Sequence, residues 1–292
     1  MDAFSDEIIG VKIQVASLME RLEQYSKAIQ VLEILKKDSL EWIARYGGLE
    51  DRKQQRTRVL AKCVGISVKL GELYGTPVIY NRDAAEERLV WAVETVLKEQ
   101  QRRQTSGATD ESDGPWMSPS EVGAALEALA HNYEDKNQHY LATPLFLQAL
   151  SLLPQTGNNC HSVVLMNNLA SSLAQQSPRA AQAAQTYSQS RNINTAPAGP
   201  SATRETMIDN AKTWAQKALD VAAKIGPPER DEECDVGCAV ATHNLGEFAE
   251  MLQNFTEARQ RYQEAISIAR AIGFEEGVEN SSARLRKLKG SG

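Results

Sequence analysis

The sequence is poor in most features from which a function is usually read. It has 4 cysteines in 292 residues, too few for a disulfide scaffold. No run approaches the ~18 apolar residues of a membrane helix, and no signal-peptide pattern opens the chain. It has no Gly-x-Gly-x-x-Gly, no phosphate loop ending in Gly-Lys-Ser/Thr and no His-Glu-x-x-His. Basic side chains are not in excess: 32 Lys and Arg face 38 Asp and Glu, for a net charge of −6 and a pI near 5.4. That balance argues against a general nucleic-acid binder, which shows a basic face or stripe. What remains is a soluble, globular chain, 42% hydrophobic and 6% aromatic, long enough for one large or two ordinary domains. Met1 leads directly into polar Asp2-Ala3-Phe4-Ser5-Asp6-Glu7, an abrupt start that fits an anchoring or targeting segment lying upstream.

The chain does repeat. Over 118–154, Ser118-Pro119-Ser120-Glu121 supplies a capping hydroxyl, a proline in the first turn and a glutamate three residues on. Leu126, Leu129, Ala130 and Tyr133 then recur at helical spacing, and Ala142, Phe146, Ala149 and Leu150 form the face of a second helix that Pro154 ends. This succession resembles the tetratricopeptide repeat. Small residues let two antiparallel helices cross closely, and large ones fill the space beside them. Leu245-Gly246, Ala249, Ala258, Tyr262 and Ala265 keep the same step of 13 from Leu245 to Ala258, and Val15-Ala16, Met19, Tyr25, Ala28, Leu32 and Leu35 keep it from Val15 to Ala28. Leu70-Gly71, Tyr74, Ala85, Leu89 and Ala92 form a copy with a longer turn. Leu169-Ala170 and Leu173 pair with Ala211, Ala215 and Ala218 across 29 inserted residues. The expected fold is therefore all-α: a single repeat domain over 1–292, a tetratricopeptide-repeat superhelix of about five helix pairs with a C-terminal capping helix near 278–289. Equivalent residues lie 55, 59, 40 and 76 apart, against about 34 in the standard repeat, so helices are longer or connections decorated. Polar composition marks a flexible loop at 101–117, and an Ala-, Gln-, Ser- and Pro-rich stretch without acidic residues marks an insertion at 177–202.

No catalytic, cofactor-binding or metal-binding set emerges. Cys234 and Cys238 share a helix face, but His243 points to the opposite one, so small core-facing cysteines are the expected reading. His131, His139 and His161 lack a neighbouring nucleophile and carboxylate in any recognisable arrangement. In the repeat family the first helix of each pair lines the concave groove. Its candidate peptide-binding positions here are Glu72, then Glu127, His131, Glu134 and Asp135, then Asn167, Asn168 and Ser171, and last His243, Asn244, Glu247 and Glu250. Asn168 and Asn244 each precede the core leucine of their helix. An asparagine amide both donates and accepts, so it can hold a peptide backbone whatever its side chains. The carboxylates favour basic or neutral segments. None of these positions is basic, which disfavours acidic chaperone tails as ligands.

Three stretches, from Ser5-Asp6-Glu7 to Ala28-Ile29-x-Val31-Leu32-Glu33, Ala211 to Leu219, and Ala241-Thr242-His243-Asn244-Leu245-Gly246, together with the long insertion, resemble the fungal adaptor subunit of the mitochondrial i-AAA protease. The chain is also similar to a metazoan mitochondrial repeat protein tied to respiratory-complex assembly. The first resemblance implies a non-enzymatic substrate adaptor at the inner membrane, facing the intermembrane space. It would be held by an anchor before Met1, with protease subunits and unfolded polypeptides as partners. The alternative is a static scaffold or assembly factor for a respiratory-chain complex. Cofactors and nucleic acid have no place in either.

Overall fold

The computed structural model describes residues 5–153, 159–179 and 203–290. Among them are twelve α-helices and one 3-10 turn (Glu50–Arg52), no strand, and no helix long and apolar enough to cross a membrane. Pro154 and the 177–202 insertion beyond Arg179 lie outside the described residues. The chain, read from sequence as a single domain, divides into two compact units, Met1–Lys136 and Asn137–Gly292. The first holds α1 (Asp6–Arg21), α2 (Tyr25–Tyr46), α3 (Lys53–Gly75), α4 (Arg82–Ser106), the short α5 (Asp110–Asp113) and α6 (Pro119–Asp135). The second holds α7 (His139–Leu152), α8 (Cys160–Gln175), α9 (Arg204–Ala222), α10 (Glu232–Met251), α11 (Phe255–Ala271) and α12 (Glu275–Gly290).

Local chemistry sets the helix ends. Ser118 Oγ accepts from Glu121 N at 3.3 Å while the Glu121 carboxylate accepts from Ser118 N at 2.7 Å, completing the capping box ahead of Pro119. Asn81, Thr203, Asp231 and Asn254 cap α4, α9, α10 and α11 in the same sense. The links at 22–24, 136–138, 252–254 and 272–274 share one backbone device. Their middle residues Glu23, Asn137, Gln253 and Gly273 take φ of 58°, 57°, 62° and 73°. In three of them the last residue's amide reaches five residues back at 2.8 Å: Gln24 to Met19, Asn254 to Ala249 and Phe274 to Ala269. In those three a repeated three-residue turn folds α1 on α2, α10 on α11 and α11 on α12.

The small residues of the repeat pattern sit where helices cross. A Cβ on Gly71 would lie 2.4 Å from Leu89 Cγ, and one on Gly246 would lie 2.8 Å from Tyr262 Cε1. Leu70, Leu129, Leu169 and Leu245 are buried, as are Ala85, Ala92, Ala211, Ala215, Ala218, Ala258 and Ala265. Each buried leucine contributes on the order of 1.5–3 kcal/mol and each alanine methyl less than about 1 kcal/mol, so the leucines supply most of the burial and the alanines permit the close approach. Val15 departs from the pattern: it is 40% exposed, and α1 buries Ile9 and Ala16 instead. Val11, Leu18 and Leu22 share its open face.

The expected flexible loop at 101–117 is a second departure. Helix α4 continues to Ser106, and Gly107, in the left-handed region at φ 65°, ends it. The polar composition had a different cause. Glu99 is only 3% exposed and is held by Arg56 at 3.0 Å and Arg102 at 2.7 Å. Arg102 also reaches Asp113 at 2.6 Å, and Arg103 donates to the Gly114 carbonyl at 2.6 Å. Gln54 donates to the Glu111 carbonyl at 2.9 Å. These bonds strap α5 and its flanks to α3 and α4.

Candidate protein-binding site

In the second unit α8 and α10 run side by side from adjacent N-termini. Asn159 caps α8 through the amide of His161 at 2.9 Å, and Asp231 caps α10 through the amide of Cys234 at 3.3 Å. Cys160 and Cys234, in those first turns, are joined by a disulfide with Cα atoms 4.7 Å apart. Cys234 is a buried core cysteine, as the sequence reading expected, and the disulfide is an addition to that reading; Cys238, one turn on, is a half-buried free thiol packed on the same cluster. Cys160, Asp231 and Cys234 bring ligand atoms within 4.8 Å of one another, but both sulfurs are committed to the disulfide here.

One turn further the helices approach closely at Gly237, where a Cβ would lie 2.8 Å from Val163 Cγ1. Asn167 Nδ2 donates to the Gly237 carbonyl at 2.8 Å. Beside this crossing lies a cavity of about 370 Å³. Val164 and Asn168 form its α8 wall; Glu232, Glu233, Val236 and Val240 form its α10 wall. Asn167, 3% exposed, also lines it, and its Oδ1 is a buried acceptor with no hydrogen-bond partner. His161 Nδ1 lies 3.4 Å from Glu233. The arrangement joins an apolar wall to an amide and two acids.

The first unit presents a different surface. A cavity of about 390 Å³ is lined by Ile13 and Ala16 of α1, Ile66 of α3 and Ala125 of α6, with Lys62 and Lys69 also on its wall. These two lysines lie outside the groove positions read from the sequence. Lys69 is committed to Glu20 at 2.8 Å and Glu72 at 3.1 Å; burial pushes its pKa down, but these two carboxylates raise it overall. A cavity of about 270 Å³ gathers Glu72, His131 and Asp135. Burial disfavours the charged form of His131, but Glu127 at 3.6 Å and Glu134 at 3.0 Å outweigh it and raise the pKa to about 9.

The remaining predicted positions are placed otherwise. Ser171 accepts from Gln175 at 3.0 Å. Asn244 is 8% exposed. His243, Glu247 and Glu250 meet α12: His243 Nδ1 lies 2.8 Å from Ser281 Oγ, and Arg284 lies 2.9 Å from Glu247 and 3.7 Å from Glu250. The His243 hydrogen bond, with Arg284 nearby, lowers the Glu247 pKa. Tyr262 donates to Glu250 at 2.8 Å. Serine meets imidazole here and again at His139 and Ser172, 3.3 Å apart. Both hydroxyls are fully buried, so neither can meet a substrate as a nucleophile.

No family model matches the sequence. Over 290 residues the chain is 25% identical to a TPR repeat-containing protein of Schizosaccharomyces pombe, a match covering 99% of this chain and 67% of that protein. Among solved structures it is similar to BtubC (BKLC) from P. vanneervenii, with a TM-score of 0.58 at 19% identity over 93% of this chain and 85% of that one. It is also similar to the nearly identical TPR-like repeats of a putative kinesin light chain from Podosopora anserina, with a TM-score of 0.55 at 14% identity over 92% and 97% of the two chains. The chain carries the tetratricopeptide-repeat fold.

In tetratricopeptide-repeat terms α3, α6, α8 and α10 are first helices, and the cavities open among them. Sequence reasoning found Asn167 and Asn168 but missed Glu232 and Glu233, which lie more than three turns before Leu245. Their only signal was their place directly after the Asp231 cap. The valines that complete the wall, at 236 and 240, are spaced by four, as one helix face requires.

Proposed function

We propose that the chain is a non-enzymatic adaptor that holds extended segments of unfolded polypeptide and presents them to the i-AAA protease of the mitochondrial inner membrane. The observation that carries this reading is the α8–α10 cavity, where an apolar wall meets the Asn168 amide and two carboxylates. Such a site recognises backbone and donor groups rather than one folded surface. The Cys160–Cys234 disulfide supports an oxidising compartment, such as the intermembrane space. The stretches at 5–33, 211–219 and 241–246 support the particular protease, and the fungal relative supports the lineage. Weak, fast-exchanging capture suits handover to an ATP-driven machine, because a tight complex slows release.

The test is a quantitative pull-down from detergent-solubilised fungal mitochondria, with the wild-type chain and Val236→Phe as baits. The bulky ring fills the cavity without touching the buried stripes. Recovery of the protease by both baits, with many unrelated clients depleted on the variant, is the expected result. One folded complex recovered equally by both would contradict it and favour a static scaffold. A specific feature favours that second reading: the open face of α1 with Val11, Val15, Leu18 and Leu22 has the spacing of a helix-docking seam.

A further inference from the structure

Independently of the adaptor reading, we infer that the first unit's cavity among α1, α3 and α6 is a binding site for a single-chain amphiphile with an anionic head, a long-chain carboxylate. The tail lies on the apolar floor and the head meets Lys62 at the mouth.

The floor is made of side chains that four helices withdraw from water. Ala16 of α1, Leu32 of α2, Ile66 and Leu73 of α3 and Ala125 of α6 line the cavity, and none is more than 3% exposed. The volume of about 390 Å³ is that of a small-molecule pocket. These five side chains carry no hydrogen-bonding atom, and a helix bonds its own backbone groups internally. A polypeptide segment entering the floor would therefore leave its N–H and C=O groups without partners, at a cost in free energy. An acyl chain has no such groups to desolvate. The floor favours hydrocarbon over peptide.

Two features of the edge point to a ligand. Lys62, Gly65, Glu121 and Ala124 line the cavity and are exposed. Gly65 sits inside the 23-residue α3, where a glycine weakens the helix relative to alanine. Packing gives no reason for it: a Cβ there would meet nothing within 4 Å, whereas one on Gly71 would lie 2.4 Å from Leu89 Cγ. What the missing side chain does is keep the mouth open. The second feature is charge. Glu20 and Lys69 hold each other at 2.8 Å, and Glu121 accepts from the Ser118 amide at 2.7 Å and its hydroxyl at 2.9 Å. Lys62 has no such partner among the described residues. An anionic head supplies one at the water's edge, and the aliphatic stem of the lysine extends the apolar wall toward it. A cationic head would meet a like charge.

The probe is dodecanoate, titrated by calorimetry into the whole chain below its micelle concentration, beside decanoate and dodecyltrimethylammonium. Dodecanoate should saturate at one molecule per chain. It should bind about 16-fold more tightly than decanoate, because each buried methylene contributes about fourfold. It should exceed dodecyltrimethylammonium about tenfold at low salt, with the gap narrowing as salt rises. Gly65→Leu places a side chain across the mouth and strengthens the helix, so it should lower dodecanoate affinity at least tenfold without lowering the urea midpoint. Should that variant melt early, Lys62→Gln carries the test: it should keep the dependence on chain length and lose the preference for the anionic head. Uptake that does not saturate, or that Gly65→Leu leaves unchanged in a folded chain, is non-specific adsorption and overturns the site. Equal affinity for the two head groups, or no binding of dodecanoate, overturns it as well. Displacement of dodecanoate by an equal concentration of an unstructured acidic peptide carrying leucines would assign the cavity to polypeptide instead.

Discussion

Removing the Cys160–Cys234 bond perturbs the candidate site at its root. The cysteines are 74 residues apart, and the chain-entropy expression for closing such a loop gives about 4.4 kcal/mol at 25 °C as a ceiling. Measured losses run lower, so we expect about 2–4 kcal/mol from Cys160→Ala with Cys234→Ala. At about 2–4 °C per kcal/mol for a unit of this size, the second unit should melt roughly 5–15 °C lower than in the oxidised wild type. Hydrogen exchange followed by mass spectrometry localises the effect: peptides from α8 and α10 should exchange faster in the variant, and those from α3 and α4 should not change. Thiol titration of the unreduced, denatured chain provides the check on the premise. It should find two thiols, Cys63 and Cys238, out of four. Four titrating thiols, or identical melting of the variant and wild type, would refute the reasoning.

Other expectations follow from single contacts. His131 should titrate with a midpoint near 9 by NMR. Because its folded pKa lies above the unfolded value of about 6.5, its contribution to stability is full below that value and is lost as pH rises through 9; His131→Gln should flatten that slope. Gly246→Ala adds a Cβ 2.8 Å from the fully buried Tyr262 ring, whose hydroxyl is fixed by Glu250. The clash of about 1–3 kcal/mol should exceed the helix-propensity gain of about 1 kcal/mol, whereas Gly10→Ala, with open space around it, should be neutral or stabilising. Glu99→Gln leaves its arginines without their buried carboxylate and should cost roughly 3–5 kcal/mol, read as a lower urea midpoint for the first unit.

Much of the fold was legible because its causes are local. Ser118 and Glu121 announce a helix start by chemistry that acts over three residues. Gly246 and Tyr262 announce a close crossing because only a small residue admits the ring. The polar run at 101–113 misled for a physical reason: an arginine-rich helix folding over a buried glutamate has the same composition as a solvated loop. Val15 misled because a spacing pattern does not say whether a neighbour covers the face. Of the candidate site, Asn167 and Asn168 were legible from their offset to Leu169. The disulfide was not, because Cys160 and Cys234 are brought together by the packing of two helices 74 residues apart, which no spacing rule encodes. Lys62 and Lys69 escaped notice for the same reason: α1 and α6 complete their cavity.

The central claim is that extended chain lies in the α8–α10 cavity. Its most direct test places a photo-reactive phenylalanine analogue at position 236 and irradiates the protein with a labelled client, first denatured and then folded. Crosslinks should form to the denatured client at many positions along its sequence and should be absent with the folded form. Equal crosslinking to both forms, or none to the denatured client, would contradict the account.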